Sequence, residues 1–462
     1  MLQKSMSTTA PARDPATDSS LRATQVTAVA WPAPARAWTM VLVLMAAYAV
    51  GFVDRQILTL LVEPLRRDLG ITDTQFSLLS GLAFTLFYTL MGVPLAWLAD
   101  RGSRRNLIMV SIGVWSAMTA ACGLAGSFVS LFAARVGVGI GEAGLSPAAY
   151  SMIADSFPPA KRARAMGVYA IGSIAGVGMA LIIGGAVIEW AATAPPVSLP
   201  LVGLLKGWQI AFMLVSLPGP VLIAAMLFLR EPARQGAGAA PSAPLGPYLR
   251  RRWLVFTLLA AGYSLVGVVI AAYLTWAPAF LMRAHGWPVG KVGAVYGTIL
   301  LVGSTLGVLI GGWWTDRFAA AGRKDAVLRV AIIGATLAFP FALAAPMMAT
   351  GELAAAMLAL MCLGFGLTQG LPAVSFQAVT PNRVRARVIA LYLLIGNIVA
   401  FTVGPTAVAL ISDHWLKDPK KIGVAVAVVT AVVLPLGVTA LIAAIKPYVR
   451  AAQEEAAEAS DH

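Results

Sequence analysis

The sequence predicts an all-α membrane protein whose twelve transmembrane helices form two six-helix repeats. Three observations predict it. Of 462 residues, 59% are hydrophobic and only 12% charged, against the ~25% charged of a soluble domain. Apolar runs longer than ~18 residues, each able to cross a ~30 Å hydrocarbon core, recur from end to end. A β-barrel would show short alternating segments instead. The halves also echo each other: Pro158, Arg162, Ala163, Arg164 and Tyr169 match Pro381, Arg385, Ala386, Arg387 and Tyr392 at a constant offset of 223.

Residues 1–37 are rich in Ala, Pro, Thr and Ser and lack the short apolar stretch and cleavage site of a signal peptide, so a disordered tail is expected there. The first six spans are expected at Trp38–Leu61, Gln75–Leu98, Asn106–Ala125, Phe128–Ala154, Ala165–Trp190 and Trp208–Leu229, within an N-terminal bundle of residues 38–230. Residues 231–252 are Pro/Ala/Gly-rich, end in three arginines and read as a flexible linker. The other six spans, Trp253–Met282, Val289–Trp314, Ala326–Ala349, Leu353–Val379, Val388–Ile411 and Ile422–Ile445, fill a C-terminal bundle of residues 253–446. Residues 447–462 are expected to be a solvated acidic tail.

Charge gives the orientation. With the N-terminus inside, the inner segments carry 24 Lys and Arg, the outer loops carry 8, and Arg55 and Arg135 make up the 34. That excess predicts a multi-pass protein of the cell membrane with both termini cytoplasmic. The net charge of +14 then reflects topology, and no nucleic acid is expected as partner. Cys122 and Cys362 lie in apolar runs without metal-ligand company and are expected to pack.

Four ionisable residues fall inside the apolar runs of the first half: Asp54 and Arg55 in the first, Arg135 and Glu142 in the fourth. The second half has no counterpart of this quartet. A charge at the bilayer centre costs at least ~3 kcal/mol on insertion scales, so such groups are rare, paired and by default functional. Counted from the outer ends, Asp54, Arg55 and Arg135 share a layer, and Glu142 lies roughly 10 Å deeper on about the face of Arg135. Asp54–Arg135 is the expected ion pair. Glu142 has no evident cation at its depth, and an under-compensated buried carboxylate can exchange a proton near neutrality.

The twelve spans, the repeat and the stretch Asp100-Arg101-Gly102-Ser103-Arg104-Arg105 together resemble the major facilitator superfamily over about residues 38 to 446. That family's loop usually reads Gly-x-x-x-Asp-Arg-x-Gly-Arg-Arg; here Ala96 replaces the first Gly, and Gly102 sits one place early. A degenerate copy, Gly312-Trp313-Trp314-Thr315-Asp316-Arg317 with Arg323-Lys324, follows in the second half. Within the superfamily, Gly51-Phe52-Val53-Asp54-Arg55, the stretch Arg135 to Ala143, and Asp155-Ser156-Phe157-Pro158 are similar to the Spinster branch. Its eukaryotic members are associated with export of sphingosine-1-phosphate and lysophospholipids. The resemblance implies a cytoplasmic gate. In it Asp100 faces the N-terminus of helix 11 with Arg385 or Arg387, Arg104 or Arg105 reaches Asp155, and Arg101, Asp316 and Arg317 complete the set.

Other motifs carry less. Gly139 to Gly144 matches a dinucleotide fingerprint but lies in a membrane helix with no βαβ unit, so helix packing explains it. The antiporter Pro that would follow Gly176 is replaced by Val177. Tyr263 and Tyr273 on helix 7 and Gln369 on helix 10 are expected to line the cavity, whereas His285 and His414 fall in outer loops and are expected to have no site role. No metal, cofactor or covalent catalysis is expected. The reading is a monomeric secondary transporter working by alternating access, with membrane lipid and protons as partners and an amphipathic anion, such as a lysophospholipid or sphingolipid phosphate, as substrate. Glu142 and Asp54 would couple protons, and Arg55 and Arg135 would hold the head group. Uptake of a small organic anion and a non-transporting receptor are the alternatives.

Overall fold

The structure, a computed structural model, describes residues 31–193, 198–199, 203–235 and 245–460. Among the described residues, twelve helices are long and apolar enough to cross a membrane. In the first half they are α1 Pro34–Leu60, α2 Asp73–Arg101, α3 Arg104–Gly123, α4 Phe128–Ser156, α5 Pro159–Thr193 and α6 Gly207–Phe228. In the second they are α7 Trp253–His285, α8 Val289–Ala320, α9 Ala326–Met347, α10 Gly351–Ala378, α11 Arg387–Leu416 and α12 Pro419–Glu455. All twelve fall where the apolar runs put them, because a run of that length has no other way to bury its backbone in lipid.

The ends follow local chemistry. Pro34 opens α1 a turn earlier than hydropathy suggests, its fixed φ and missing N–H suiting a first helical position. Thr72, Ser103, Ser127 and Thr350 cap α2, α3, α4 and α10 with their side-chain oxygens. Large apolar side chains such as Val110, Val129, Phe228, Leu309 and Ile442 stay exposed on the outside, as a lipid-facing surface requires.

Since twelve crossings return the chain to its starting side, the molecule has a terminus-side end and a far end. Across the boundary between the halves, α5 packs on α8 and α2 on α11. The α5–α8 seam is backbone-close: a Cβ on Gly293 would lie 2.3 Å from the Leu181 carbonyl oxygen and 2.9 Å from the Gly185 Cα. The equivalent helices α4 and α10 are each interrupted near mid-membrane. α4 breaks at Ala143–Gly144, directly after Glu142. α10 breaks at Gln369–Gly370, where Gly370 takes φ 79°.

Two boundaries differ from expectation. The linker is not wholly flexible: Glu231 to Gln235 dock on the α2–α3 loop and on Asp155 at the end of α4, and Leu245–Arg251 form a helix, while 236–244 lie outside the described residues. The acidic end is not simply solvated either. The last helix continues to Ser460, and Glu454 and Glu455 pair with Arg252. Most of the expected N-terminal tail, residues 1–30, also lies outside the described residues.

Candidate functional site

The quartet comes together between α1 and α4, but with exchanged partners. Arg55 reaches Glu142 through Nη2–Oε2 at 2.6 Å and Nε–Oε2 at 2.7 Å. Arg135 donates from Nη1 to the Asp54 backbone carbonyl at 3.1 Å, not to its carboxylate. The expected Asp54–Arg135 ion pair is therefore absent, and the expected lack of a cation for Glu142 is overturned. Depth counted at Cα positions misjudged this. An arginine side chain spans more than a helical turn, and the ~100° between neighbouring residues aims Arg55 and Asp54 at different surroundings. Both Asp54 carboxylate oxygens are buried and meet no hydrogen-bond donor in bonding geometry among the described residues.

Arg55 is boxed by aromatic faces. Its guanidinium carbon lies 4.8 Å from the Phe52 ring centroid, 4.5 Å from Phe84 and 4.6 Å from Tyr88. The Phe84–Tyr88 spacing on α2 supplies two rings on one helical face. Arg55 remains 20% exposed while Glu142 is 2% exposed, so the cation meets the open space and the carboxylate stands behind it.

Two compartments of about 250 Å³ each adjoin at mid-height and share Phe52, Leu274 and Phe401. The first holds Arg55 with Tyr48, Gln56, Thr85, Tyr88 and Asn397. The second is walled by Val177 of α5 and by Tyr273, Tyr296, Met361, Phe365 and Gln369 of the C-terminal bundle. Tyr273 and Gln369 thus line the cavity as expected, Gln369 at the α10 break. Tyr263 does not line either compartment. It is buried in the C-terminal bundle with its hydroxyl 2.7 Å from Ser375 Oγ, because it sits nearly three turns from Tyr273 toward the termini.

At the far end the halves are stitched together. Arg283 of α7 bonds both oxygens of Asp73 at 2.8 Å and pairs with Glu63. Ser412 donates to Asp73 at 3.2 Å, and Asp413 accepts two bonds from Thr74. The terminus-side residues brace each bundle separately. Arg104 is buried and bonds Asp155 and Ser151 of its own bundle, together with Glu231 and the Pro232 carbonyl at the start of the linker. Arg105 bonds the Leu229 carbonyl instead of Asp155. Arg104–Asp155 therefore does not depend on closure of the termini side, contrary to expectation, since both partners belong to one bundle. Burial pushes the Glu231 carboxyl up, but bonds from Ser103 and Arg104 outweigh it and hold the group below its ordinary value.

Asp100 is exposed and forms no ion pair among the described residues; its carbonyl accepts from Arg234. Arg385 donates to the Thr380 carbonyl at 3.2 Å. Asp316 and Arg317 are exposed at the end of α8. Arg101 lies 4.0 Å over Trp97, and Arg317 5.6 Å over Trp313, the same pair one repeat apart.

This twelve-helix geometry agrees with the comparisons. The family model of the Major Facilitator Superfamily matches residues 44–405. The chain belongs to that superfamily. An MFS-type efflux pump of Mycolicibacterium smegmatis is 30% identical over 390 residues, 83% of this chain and 86% of its own. A hexuronate transporter of Bacillus subtilis is 27% identical over 60% of this chain and 64% of its own. Among solved structures, a bacterial homolog of the human lysosomal transporter Spinster, in an inward-facing and unoccupied conformation, matches with TM-score 0.76 and 26% identity, covering 91% of this chain and 98% of that one. This facilitator is Spinster-like, a multi-pass membrane transporter with relatives that carry acid sugars.

Several buried contacts of this facilitator are not legible in its sequence. Arg252 is buried and ties α7 to the Val379 and Ala451 carbonyls and to Glu454 and Glu455. It reads as one more linker arginine until the fold buries it. The Tyr169–Tyr392 repeat was visible, but its meaning was not. Tyr169 stacks on Tyr48 at 4.8 Å and meets Tyr150 at 5.1 Å, while Tyr392 stacks on Phe376 at 4.5 Å and meets Tyr263 at 6.4 Å. Each bundle so carries an aromatic trio at the same place.

Proposed function

We propose that this protein is a proton-coupled secondary transporter of amphipathic organic anions, acting as a monomer by alternating access in the cell membrane with both termini cytoplasmic. One observation carries the reading. Arg55 is presented to a cavity, fixed by three rings and a buried carboxylate, and beside it opens a compartment walled by apolar and aromatic side chains. A fixed cation facing apolar space suits a molecule with an anionic head and a greasy body, such as a lysophospholipid or sphingolipid phosphate. With the termini cytoplasmic, the far-end stitches close the outer side, and likeness to an inward-facing relative supports that state.

Protons fit the same layer. An anion competing for Arg55 would release Glu142, and a released buried carboxylate takes up a proton. Asp54, buried with no donor in bonding geometry among the described residues, is a second acceptor. Closure of the termini side would bring Asp100 toward α11, with Arg385, Arg387, Asp316 and Arg317 at that edge. A second reading, transport of a small organic acid, is favoured by the hexuronate-carrying relative and the modest volume of the charged compartment.

The test is thermal stabilisation of the purified protein, followed by uptake into proteoliposomes under an imposed pH gradient. Lysolipid phosphates should stabilise the wild type and not Arg55→Ala. Stabilisation by hexuronate alone would favour the small-acid reading. Gradient-driven uptake should vanish in Glu142→Gln and fall in Asp54→Asn; uptake indifferent to the gradient would reject coupling.

A further inference from the structure

Helices α2 and α11 run antiparallel along the boundary between the halves. Toward the far end they touch along a single face of α2, at Thr74, Ser77 and Gly81. The Asp413 carboxylate accepts from the Thr74 backbone N–H and from its hydroxyl, both at 2.7 Å. The Ser77 hydroxyl donates to Thr406 Oγ1 at 3.2 Å. At Gly81 a Cβ would lie 2.3 Å from the Phe401 carbonyl oxygen, so the backbones meet there.

Thr74 is the second residue of α2, where amides lack intrahelical partners and the helix dipole is positive. Thr72 and Gln75 form a capping box with each other, leaving the Thr74 amide to a partner from elsewhere. Asp413 supplies it from the last turn of α11, on the other half. The opposite end of the same helix pair repeats this layout with the roles exchanged. Asp100 stands in the last turn of α2, and α11 begins on the other half.

We infer that Asp413 is the far-side counterpart of the Asp100 gate that the family resemblance implies. Asp413 on the N-terminus of α2 holds the far side shut, and each transport cycle exchanges this latch for the one between Asp100 and the N-terminus of α11. The inference rests on the alternating-access reading, and it adds Asp413 as a positioning residue. Two contacts of the same kind, only one made at a time, nearly cancel in the difference between states, which leaves ligand binding free to tip the balance. The neighbouring Asp73, Arg66, Arg283 and Glu63 add ion pairs at the far end, so Asp413 is not the whole of that lock.

The experiment places spin labels at Leu124 and Met347 for the far end and at Lys161 and Lys324 for the termini side, in the full chain reconstituted in lipid. In Asp413→Ala the ratio of far-open to far-closed distances should rise several-fold, and in Asp413→Asn by less. Combining Asp413→Ala with Asp100→Ala should bring the ratio back toward wild type, an outcome that general destabilisation would not produce. Two far-end distances in wild type with an unchanged ratio in Asp413→Ala would overturn the latch and leave alternating access standing. One unmoving far-end distance in wild type and variants alike, with or without a lysolipid phosphate, would overturn both. Should Asp413→Ala fail to fold, Asp413→Asn and Thr74→Val, which keeps the amide and loses the hydroxyl, carry the same comparison.

Discussion

The Arg55–Glu142 contact makes two residues 87 apart in sequence into one unit, and its energetics differ from those of a surface pair. Removing one member of a buried pair strands the other at about 3–5 kcal/mol, more than the pair itself contributes. Arg55→Ala should therefore lower stability by about that amount, and adding Glu142→Gln should restore a large part. Thermal unfolding in detergent across the double-mutant cycle measures it; additive losses would show that the contact carries no coupling. Asp54 and Arg135 give the contrast. Arg135 bonds a carbonyl that Asp54→Asn leaves in place, so the coupling between those two positions should be smaller than that between Arg55 and Glu142. The sequence made the members of the quartet legible, because charges in apolar runs stand out. It did not reveal the pairing, which depends on side-chain reach and on the rotation of α1 against α4.

At the scale of elements, the seam between α5 and α8 exists because glycines let the backbones meet. Gly293→Val should push the seam apart, cost about 1–3 kcal/mol as overpacking, and raise the far-open population in the same spin-label measurement. The strap Glu231–Gln235 obeys different chemistry. Glu231 titrates below its ordinary value in the folded chain, so its contribution is present above the unfolded pKa and is lost as pH falls through the folded one. Melting temperature should therefore decline in mildly acid buffer from roughly pH 4.5 downward, and Glu231→Gln should flatten that decline. An unchanged acid limb would mean that the strap adds nothing to stability. Hydropathy located all twelve spans because length and apolarity leave the backbone one solution. It could not show that a Pro/Ala/Gly-rich linker begins with a docked strap, since Arg234 there finds its three carbonyls, those of Ala99, Asp100 and Gly102, only once α2 has ended beside it.

Over the whole molecule, charge is distributed unequally. The buried charged groups of the central layer belong to the N-terminal bundle, and the facing wall contributes rings, sulfur and two amides, Gln369 and Asn397. That division was readable in the sequence, as was the six-plus-six repeat. The aromatic trios were only half readable: one Tyr of each lay in the repeat, but the partners come from different helices and meet only after packing. Tyr263 shows the limit, since the right helix and residue type still placed it against Ser375 rather than in the cavity.

The two arginine hubs have a consequence for how the chain is made. Arg104 draws together the ends of α3, α4 and α6, and Arg252 those of α7, α10 and α12, each using partners from its own half. Each half thus carries its own keystone, so the halves are expected to hold together without covalent continuity between Gln235 and Leu245. Two separately encoded fragments, ending and starting at those residues, should insert independently and complement each other when co-expressed. Co-purification of an untagged fragment on its tagged mate, with the complex melting close to the intact chain, is the expected result. Fragments degraded even when expressed together would show that the bundles depend on each other to fold.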